Sequence, residues 1–292
     1  MSQSASSHPI DDLLRARLRI TRPARLRLFA LRNALLGIDG ISRGLTGQAF
    51  FAVREAEALL RDIGTLQGPP LIAALLARNG GTHITPHGLT HIPSTGPIII
   101  GATHPVGIFD FISHAAVLLD HRPDLKVVAN REAERFLGPE RIIPVDLDSS
   151  DRVRAPRVTR TGMQDHLENG GALLVFGSGR VPHQHGGRLV EPAWRTGITR
   201  ISGLTDTPVV PASADLRNSP YYYRIRSLAY RLSGKNDYAA RAVASLRYVA
   251  ELLDKLGGSY HVHYGPPLAA GSSPAVLKSA AESLVPGLYS QS

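Results

Sequence analysis

The chain has 292 residues, of which 43% are hydrophobic and 20% charged, so it has the composition of a globular protein with a substantial core. It contains no cysteine, which excludes disulfides, thiolate metal sites and a cysteine nucleophile. A formal net charge of +9 predicts an anionic partner, namely nucleic acid, anionic lipid or an acidic carrier protein. The N-terminus lacks a signal-peptide pattern and no apolar run is long enough to span a bilayer, which predicts a cytoplasmic protein.

The N-terminal region is rich in arginine. Between Asp11 and Arg32 there are seven arginines against two aspartates, interleaved with leucine, isoleucine and phenylalanine. Pro23 divides this stretch into two predicted helical pieces. The composition is typical of a helix that lies in a membrane interface, on the inner face of the cell membrane in a cytoplasmic protein. A solvated helix whose arginine stems cover the core has the same composition, and both interpretations remain open.

Further along, helical and strand patterns alternate. Apolar periodicity with Pro, Gly and Asn-Gly stop signals predicts helices at 48–63, 68–81, 108–120, 131–137, 156–169, 192–203 and 238–256. Short apolar runs between turn residues predict strands at 82–93, 96–102, 125–130, 141–147, 172–177, 207–214 and 259–265. This alternation predicts an α/β fold with a mixed, partly parallel sheet flanked by helices. We expect an N-terminal basic helical extension over 1–70 and a catalytic domain over 71–292.

The loop after the strand Ile98–Ile100 carries the most suggestive polar residues. Sites of α/β sheets form beyond the carboxyl ends of strands. His104 is suited to accept a proton near neutral pH, and Asp110, in the first turn of the next helix, is placed to orient it. No nucleophile elbow lies nearby, which indicates that the substrate supplies the nucleophile. A purely structural His–Asp pair remains the alternative.

Arginines follow two other strands. Arg131 and Arg180 should lie near the same strand ends, where either can hold a phosphate, a carboxylate or a thioester oxyanion. The alternative is that they are rim arginines paired with Glu132 or Glu134. Likewise, Arg217 and Asn218 either bind substrate or cap a turn.

Histidines and tyrosines form further clusters. The histidines are at 83, 87 and 91, at 183 and 185, and at 261 and 263. No acid or cysteine completes a ligand set beside them, so we expect no metal. The tyrosines 221–223 either stack bases on a basic surface or pack at an acyl-chain groove or membrane interface, which is the interpretation that we favour over nucleic-acid binding.

The segment "THPVGIFD" (103–110) resembles the first block of the glycerolipid acyltransferase superfamily, and is most similar to its hemolysin-like or ornithine-lipid acyltransferase branch. Five residues separate His104 from Asp110, as is common in that branch, although Thr103 stands where asparagine is usual. The resemblance continues in order from about residue 30 to residue 268. It is carried by the segments 30–51, 127–146, 171–183, 188–225 and 246–268.

This resemblance implies a glycerolipid acyltransferase-like fold and an acyl transfer without a cofactor. The donor would be an acyl-carrier protein or acyl-CoA thioester, and the acceptor a hydroxyl or amine of a lipid or aminolipid precursor at an anionic membrane. His104 would be the general base and Asp110 its orienting partner, with the N–H groups around Gly107 and an arginine facing the oxyanion. The third block, with Ser178, Gly179 and Arg180, would bind substrate, but it lacks the glutamate usual in the family. An N-acyltransferase of a secondary pathway and a catalytically idle lipid- or carrier-binding protein remain alternatives.

Overall fold

A computed structural model describes residues 10–11, 14–15, 25–145 and 154–290. Much of the arginine-rich leader, including Arg17, Arg19, Arg22 and Pro23, therefore lies outside the described residues. The chain divides into two compact units, which are described separately. Unit 1 comprises Met1–Leu66 with Asn218–Lys255, and unit 2 comprises Gln67–Arg217 with Leu256–Ser292. The functional boundary expected at residue 70 stays a prediction.

The described residues form helices and strands that alternate along most of the chain. The helices are α1 (Arg25–Thr46), α2 (Val53–Ile63), α3 (Pro69–Leu76), α4 (Ile108–His121), α5 (Glu134–Leu137), α6 (Arg154–Glu168), α7 (Thr196–Leu204), α8 (Pro220–Leu232), α9 (Asp237–Ser245), α10 (Tyr248–Leu253) and α11 (Pro274–Ser283). The strands are β1 (His83–His87), β2 (Ile98–Ala102), β3 (Lys126–Ala129), β4 (Ile142–Pro144), β5 (Ala172–Phe176), β6 (His183–His185), β7 (Arg188–Val190), β8 (Val209–Ala214) and β9 (Ser259–Tyr264). Among these helices, none has the length and apolarity needed to cross a bilayer.

Unit 2 is built on a seven-stranded sheet in the order β1-β9-β8-β2-β5-β3-β4. The five strands from β8 to β4 are parallel to one another, whereas β9 is antiparallel to β8 and carries β1 parallel to itself at the edge. The prediction of a mixed, partly parallel sheet flanked by helices is confirmed. Because β2 lies between β8 and β5, the loops that follow these three strands meet at one edge of the sheet.

Close packing explains two glycines at that edge. The indole of Trp194 lies over the ends of β2 and β5, where a Cβ on Gly101 would come within 3.3 Å of the ring and one on Gly177 within 2.0 Å. Alanine at Gly177 would therefore collide with Trp194. The ring belongs to a buried cluster with Ile99 and Leu173, which joins the centre of the sheet to the helices that cover it.

Unit 1 is helical in the described residues. Its core includes Leu28 and Leu35 of α1 and Phe51 and Val53 at the start of α2. The buried carboxylate of Asp39 accepts hydrogen bonds from the backbone N–H groups of Phe51, at 2.5 Å, and Val53, at 2.8 Å, so that an acid within α1 fixes the start of α2.

The prediction of one long helix over 238–256 is wrong. The chain forms α9 and α10 instead, and a tight turn in which the N–H of Arg247 donates to the carbonyl of Ala244 separates them. The buried guanidinium of Arg247 donates to Ser219 Oγ at 3.3 Å and lies 4.6 Å from the ring of Phe50. These long-range contacts of Arg247 outweigh the apolar periodicity that predicts one continuous helix. The helices α8 and α11 and the β6–β7 hairpin were not predicted.

Candidate active site

The predicted His104–Asp110 pair lies at the carboxyl end of β2. His104 Nδ1 is 3.1 Å from Asp110 Oδ2, with the histidine side chain 19% exposed and the aspartate fully buried. The contact falls outside ideal hydrogen-bond angles, so the two groups are close but do not form an aligned hydrogen bond. Because Nδ1 faces the carboxylate, the ring nitrogen Nε2 is the one placed to exchange a proton with a substrate.

The first turn of α4 holds Asp110 in place. Its Oδ2 accepts the backbone N–H groups of Val106, at 2.9 Å, and Gly107, at 2.8 Å. A carboxylate at this position also interacts favourably with the positive end of the helix. The Gly107 N–H is therefore already bound to Asp110, and an oxyanion role for the other N–H groups around Gly107 stays a prediction.

Aromatic rings surround the pair. The ring of Phe176, the last residue of β5, is 4.5 Å from the His104 ring and 6.3 Å from the ring of His114. His114 is fully buried, its Nδ1 is 3.1 Å from the hydroxyl of Tyr264, and burial, together with nearby His104, lowers its pKa to about 3. His114 is therefore a neutral neighbour, and His104 is the histidine that faces Asp110.

A buried hydroxyl network lies under the loop. Thr103 Oγ1, next to His104, is 2.8 Å from both the Ser213 Oγ of β8 and the Tyr289 hydroxyl. Burial raises the pKa of Tyr289 well above its usual value, so the phenol remains neutral. Threonine in place of asparagine thus joins β2, β8 and the C-terminal segment through hydroxyl groups.

The third loop, residues 177–180, follows β5 next to this network. Gly179 adopts a positive φ of 63°, which closes a tight turn, and the side chain of Arg180 is half-buried. Ser178 is buried, and its Oγ lies 2.8 Å from Glu191 Oε1, a residue on the far side of the β6–β7 hairpin. The loop thus brings Ser178, Gly179 and Arg180 to the strand adjacent to β2.

Glu191 is the residue at this edge that sequence analysis missed. Burial raises the pKa of its carboxyl group to about 8, and nearby Glu282 and Asp110 add to the shift. The indole N–H of Trp194 lies near the same carboxyl group but without hydrogen-bond geometry. The sequence feature that could have identified Glu191 is its position three residues before Trp194, whose side chain is buried.

The other predicted binding residues are placed differently. Arg131 is 78% exposed and forms an ion pair of 3.4 Å with Glu134, which is the alternative that the sequence left open. It follows β3, which is separated from β2 by β5. Arg217 donates to the carbonyls of Gly187 and Gly287 in unit 2. Asn218 belongs to unit 1, where it is buried and its amide atoms have no hydrogen-bond partner among the described residues.

The histidine and tyrosine clusters also have definite positions. His87 of β1 lies with its ring 5.1 Å from that of His261 and 4.7 Å from that of His263, both of β9. Within the described residues, no group of three or more histidine, aspartate or glutamate side chains is arranged to hold a metal ion. Tyr222 and Tyr223 are buried in unit 1, so neither offers a surface for stacking bases.

Comparison with known proteins bears on the class of this α/β protein. No protein-family model matches the chain. The chain is similar to a curated protein of Phocaeicola vulgatus named lyso-glycine lipid O-acyltransferase, with 21% identity over 183 residues, and the match covers 62% of each protein. The chain thus spans less than two thirds of the length of this relative. The sequence match confirms the predicted resemblance to the glycerolipid acyltransferase superfamily, which the name of the relative fits.

A solved structure gives a weaker likeness. It is the crystal structure of the 1-acyl-sn-glycerophosphate (LPA) acyltransferase PlsC from Thermotoga maritima. The TM-score is 0.44 at 16% identity, over 91% of this chain and 96% of the other.

Proposed function

We propose that the chain is an acyltransferase that moves a fatty acyl group from a thioester to a lipid acceptor. The observation that carries the proposal is the pairing of His104 with a buried Asp110 at the carboxyl end of β2. A neutral histidine with one nitrogen held by a carboxylate is a suitable general base near neutral pH.

The proposed reaction uses the substrate as nucleophile. His104 Nε2 takes the proton of the acceptor hydroxyl or amine as its oxygen or nitrogen attacks the thioester carbonyl. Collapse of the tetrahedral intermediate breaks the C–S bond, and the protonated His104 returns its proton to the departing thiolate. One C–O or C–N bond forms and one C–S bond breaks, so no redox partner is required. Asp110 stabilises the imidazolium formed in between.

The third loop supports an acceptor with an anionic group. Arg180 is half-buried in the loop that follows β5, the strand next to β2, and guanidinium groups bind carboxylates and phosphates through paired hydrogen bonds. A lyso-glycine lipid, named for the relative from Phocaeicola vulgatus, ends in such a carboxylate. We therefore propose O-acylation of a lyso-lipid with an anionic headgroup, with acyl-carrier protein or acyl-CoA as donor.

Thiol release from a thioester tests this proposal. Purified full-length chain would be incubated with acyl-CoA or acyl-carrier protein and, in turn, lyso-glycine lipid, lysophosphatidate and lyso-ornithine lipid. We expect thiol release that depends on an acceptor, and its loss by about 10²–10⁴-fold in His104→Ala. His185→Ala, in the exposed β6–β7 hairpin, is the matched control. Transfer to free amines would indicate the N-acyltransferase alternative, and no thiol release with any pair would indicate the idle binding protein.

We also propose that unit 1 binds an anionic membrane surface. The solvent-facing side of α1 is apolar: Leu26 is 85% exposed, Ile41 67% and Leu45 82%. The spacing of three or four residues places these side chains on one helix face together with exposed Ala30, Ala34 and Gly37. The exposed Arg25 and Arg27 of the same helix supply positive charge, and apolar and cationic side chains together are typical of interfacial helices.

Sedimentation with vesicles tests the membrane proposal. The triple variant Leu26→Ser, Ile41→Ser and Leu45→Ser should bind phosphatidylglycerol vesicles several-fold more weakly than the native chain. Binding of the native chain should also weaken as salt is added. The control variant carries Leu204→Ser and Val276→Ser, which replace exposed apolar residues of unit 2. Equal binding by the triple and control variants would contradict the proposal.

A further inference from the structure

We propose that Glu191, in its protonated form, is a positioning residue that holds the third loop beside His104. The proposal rests on the acyl transfer proposed above. Glu191 is not among the site residues predicted from the sequence, and the proton-transfer steps do not use it.

The number of protons available for hydrogen bonds around Ser178 supports a protonated Glu191. Ser178 Oγ lies 2.8 Å from Glu191 Oε1 and 3.0 Å from the Arg180 carbonyl oxygen, and it accepts the Arg180 N–H at 3.2 Å. A hydroxyl group has a single proton to donate. If Glu191 were ionised, its carboxylate and the Arg180 carbonyl would compete for that proton, and one buried acceptor would lose its partner.

Protonation of Glu191 satisfies every one of these contacts. The carboxylic O–H donates to Ser178 Oγ, the Ser178 hydroxyl donates to the Arg180 carbonyl, and the Arg180 N–H donates to Ser178. The serine oxygen then accepts two hydrogen bonds and donates one, which is its full capacity. We call these three residues the Ser178 cluster.

The surroundings of Glu191 also favour the neutral form. The ionisable groups that face it are Asp110 from α4, Glu282 from α11 and Tyr289 from the C-terminal segment, and none of them is a cation. Two basic side chains of this region have other partners: Lys278 pairs with Glu282, and Arg195 donates to the Ser178 carbonyl oxygen. Burial without a cationic partner raises the pKa of the carboxyl group.

The segment 191–195 holds the third loop at several points. Glu191 contacts Ser178, the Trp194 ring packs on Gly177, and the Arg195 N–H donates to the Gly177 carbonyl at 2.9 Å. Gly177 directly follows Phe176, whose ring contacts His104. A shift of the Ser178 cluster would thus be passed through Gly177 to Phe176, whose ring lies beside His104.

The first test measures the proton directly and does not require turnover. The side-chain carboxyl carbons of glutamate would be labelled with ¹³C in the full chain, and the Glu191 resonance identified by its absence from Glu191→Gln. Should that variant fail to fold, sequential assignment of the native chain identifies the resonance. We expect it to titrate near pH 8, as the raised pKa requires. Titration at an ordinary carboxyl pKa would overturn the proposal.

The second test links the proton to the reaction. In Glu191→Gln the amide N–H still donates to Ser178 but cannot ionise. The ratio of native to Glu191→Gln kcat/KM should be constant below about pH 7 and should fall at least about threefold towards about pH 9. Glu168→Gln makes the same change at an exposed site of α6 and should leave the ratio flat. A ratio that does not change with pH would overturn the positioning role.

These tests separate the two proposals. If no acceptor supports thiol release but the Glu191 resonance titrates near pH 8, the proposed acyl transfer fails while the protonated cluster stands. If transfer is normal and the resonance titrates as an ordinary carboxyl group, the positioning role fails and the acyltransferase proposal stands. Loss of transfer in Glu191→Ala with retention in Glu191→Gln at about pH 6.5 would support both.

Discussion

The start of α4 and the loop before α7 each bury an acid at the same edge of the sheet, but they treat it differently. Asp110 receives two backbone N–H groups and faces a histidine, and all three contacts favour a carboxylate. Glu191 contacts one hydroxyl group, and burial, with a smaller effect of nearby Glu282 and Asp110, raises its pKa to about 8. The contrast teaches that the donors around a buried acid, rather than burial alone, determine whether it serves as a charge or as a hydrogen-bond donor.

The largest difference between the two acids is expected when each is replaced by its amide. Asp110→Asn should lower kcat/KM by about 10²–10⁴-fold, because an amide holds the wrong imidazole tautomer and cannot stabilise the imidazolium. Glu191→Gln should change it by less than about threefold at about pH 6.5, because the amide N–H replaces the carboxylic O–H. Thiol release measures both variants, and circular dichroism checks their folding. Similar losses in the two variants would mean that the two acids have the same role.

The pH dependence of stability sharpens the same comparison. The pKa of Glu191 is raised from 4.5 to about 8 on folding, so between these values the folded chain holds a proton that the unfolded chain has released. The stabilisation is present at low pH and is lost as pH rises, with a limiting slope of about 1.4 kcal/mol per pH unit. Relative to Glu191→Gln, the native chain should lose about 2 kcal/mol between about pH 6 and about pH 7.5.

Urea unfolding of the two proteins at several pH values is the measurement. The comparison with Glu191→Gln cancels every other group whose pKa is unaffected by the substitution. A free-energy difference that stays constant over this range would show that Glu191 titrates alike in the folded and unfolded chains. The buried cluster would then require another account.

A smaller effect is expected from charge in the third loop. Arg180→Gln should lower kcat/KM by about tenfold with an anionic acceptor, because a charge-assisted hydrogen bond contributes about 1.5–3 kcal/mol. Arg180→Glu should lower it further, because reversal adds repulsion. A neutral Glu191 leaves this local field positive. Arg131→Gln removes the same charge from an exposed ion pair and is the matched control, with an expected change below about twofold. Equal, small changes of kcat/KM in Arg180→Gln and Arg131→Gln would indicate that the Arg180 side chain points to solvent.

The centre of the fold and the closeness of His104 and Asp110 were predictable from the sequence. The buried strands β2, β5 and β8 are short apolar runs between turn residues, and the order of helices and strands predicts their parallel arrangement. Since the carboxyl ends of neighbouring parallel strands meet, the loop with His104 and Asp110 was expected beside the third loop. These features depend on local patterns and on a general rule of sheet topology.

Glu191 was not predictable in the same way. It lies 13 residues after Ser178, and their contact requires the β6–β7 hairpin to reverse the chain. Each strand of that hairpin has three residues, and β6 is the polar sequence His183-Gln184-His185, so neither shows a usable apolar alternation. The split between α9 and α10 was missed because it depends on the long-range contacts of Arg247 with Ser219 and Phe50.

The histidines at the β1–β9 edge provide the mildest test of the same principle. Burial, followed by the nearness of His87 and His261, lowers the pKa of His263, while Asp215 acts in the opposite direction. The unfolded chain therefore binds more protons than the folded chain just below the usual histidine pKa, and stability falls as pH is lowered through that range. Solvent screens these half-exposed groups, so the loss is a few tenths of a kcal/mol.

His263→Asn should remove this acid-dependent loss. The variant keeps a polar side chain on β9 but cannot take up a proton, so its stability relative to the native chain should rise slightly as pH falls from about 7 to about 5. Urea unfolding at both pH values measures the change, with His185→Asn on the separate β6–β7 hairpin as the control. A change as large as that expected for Glu191 would contradict the comparison, because it would mean that partial exposure does not weaken the coupling between protonation and folding.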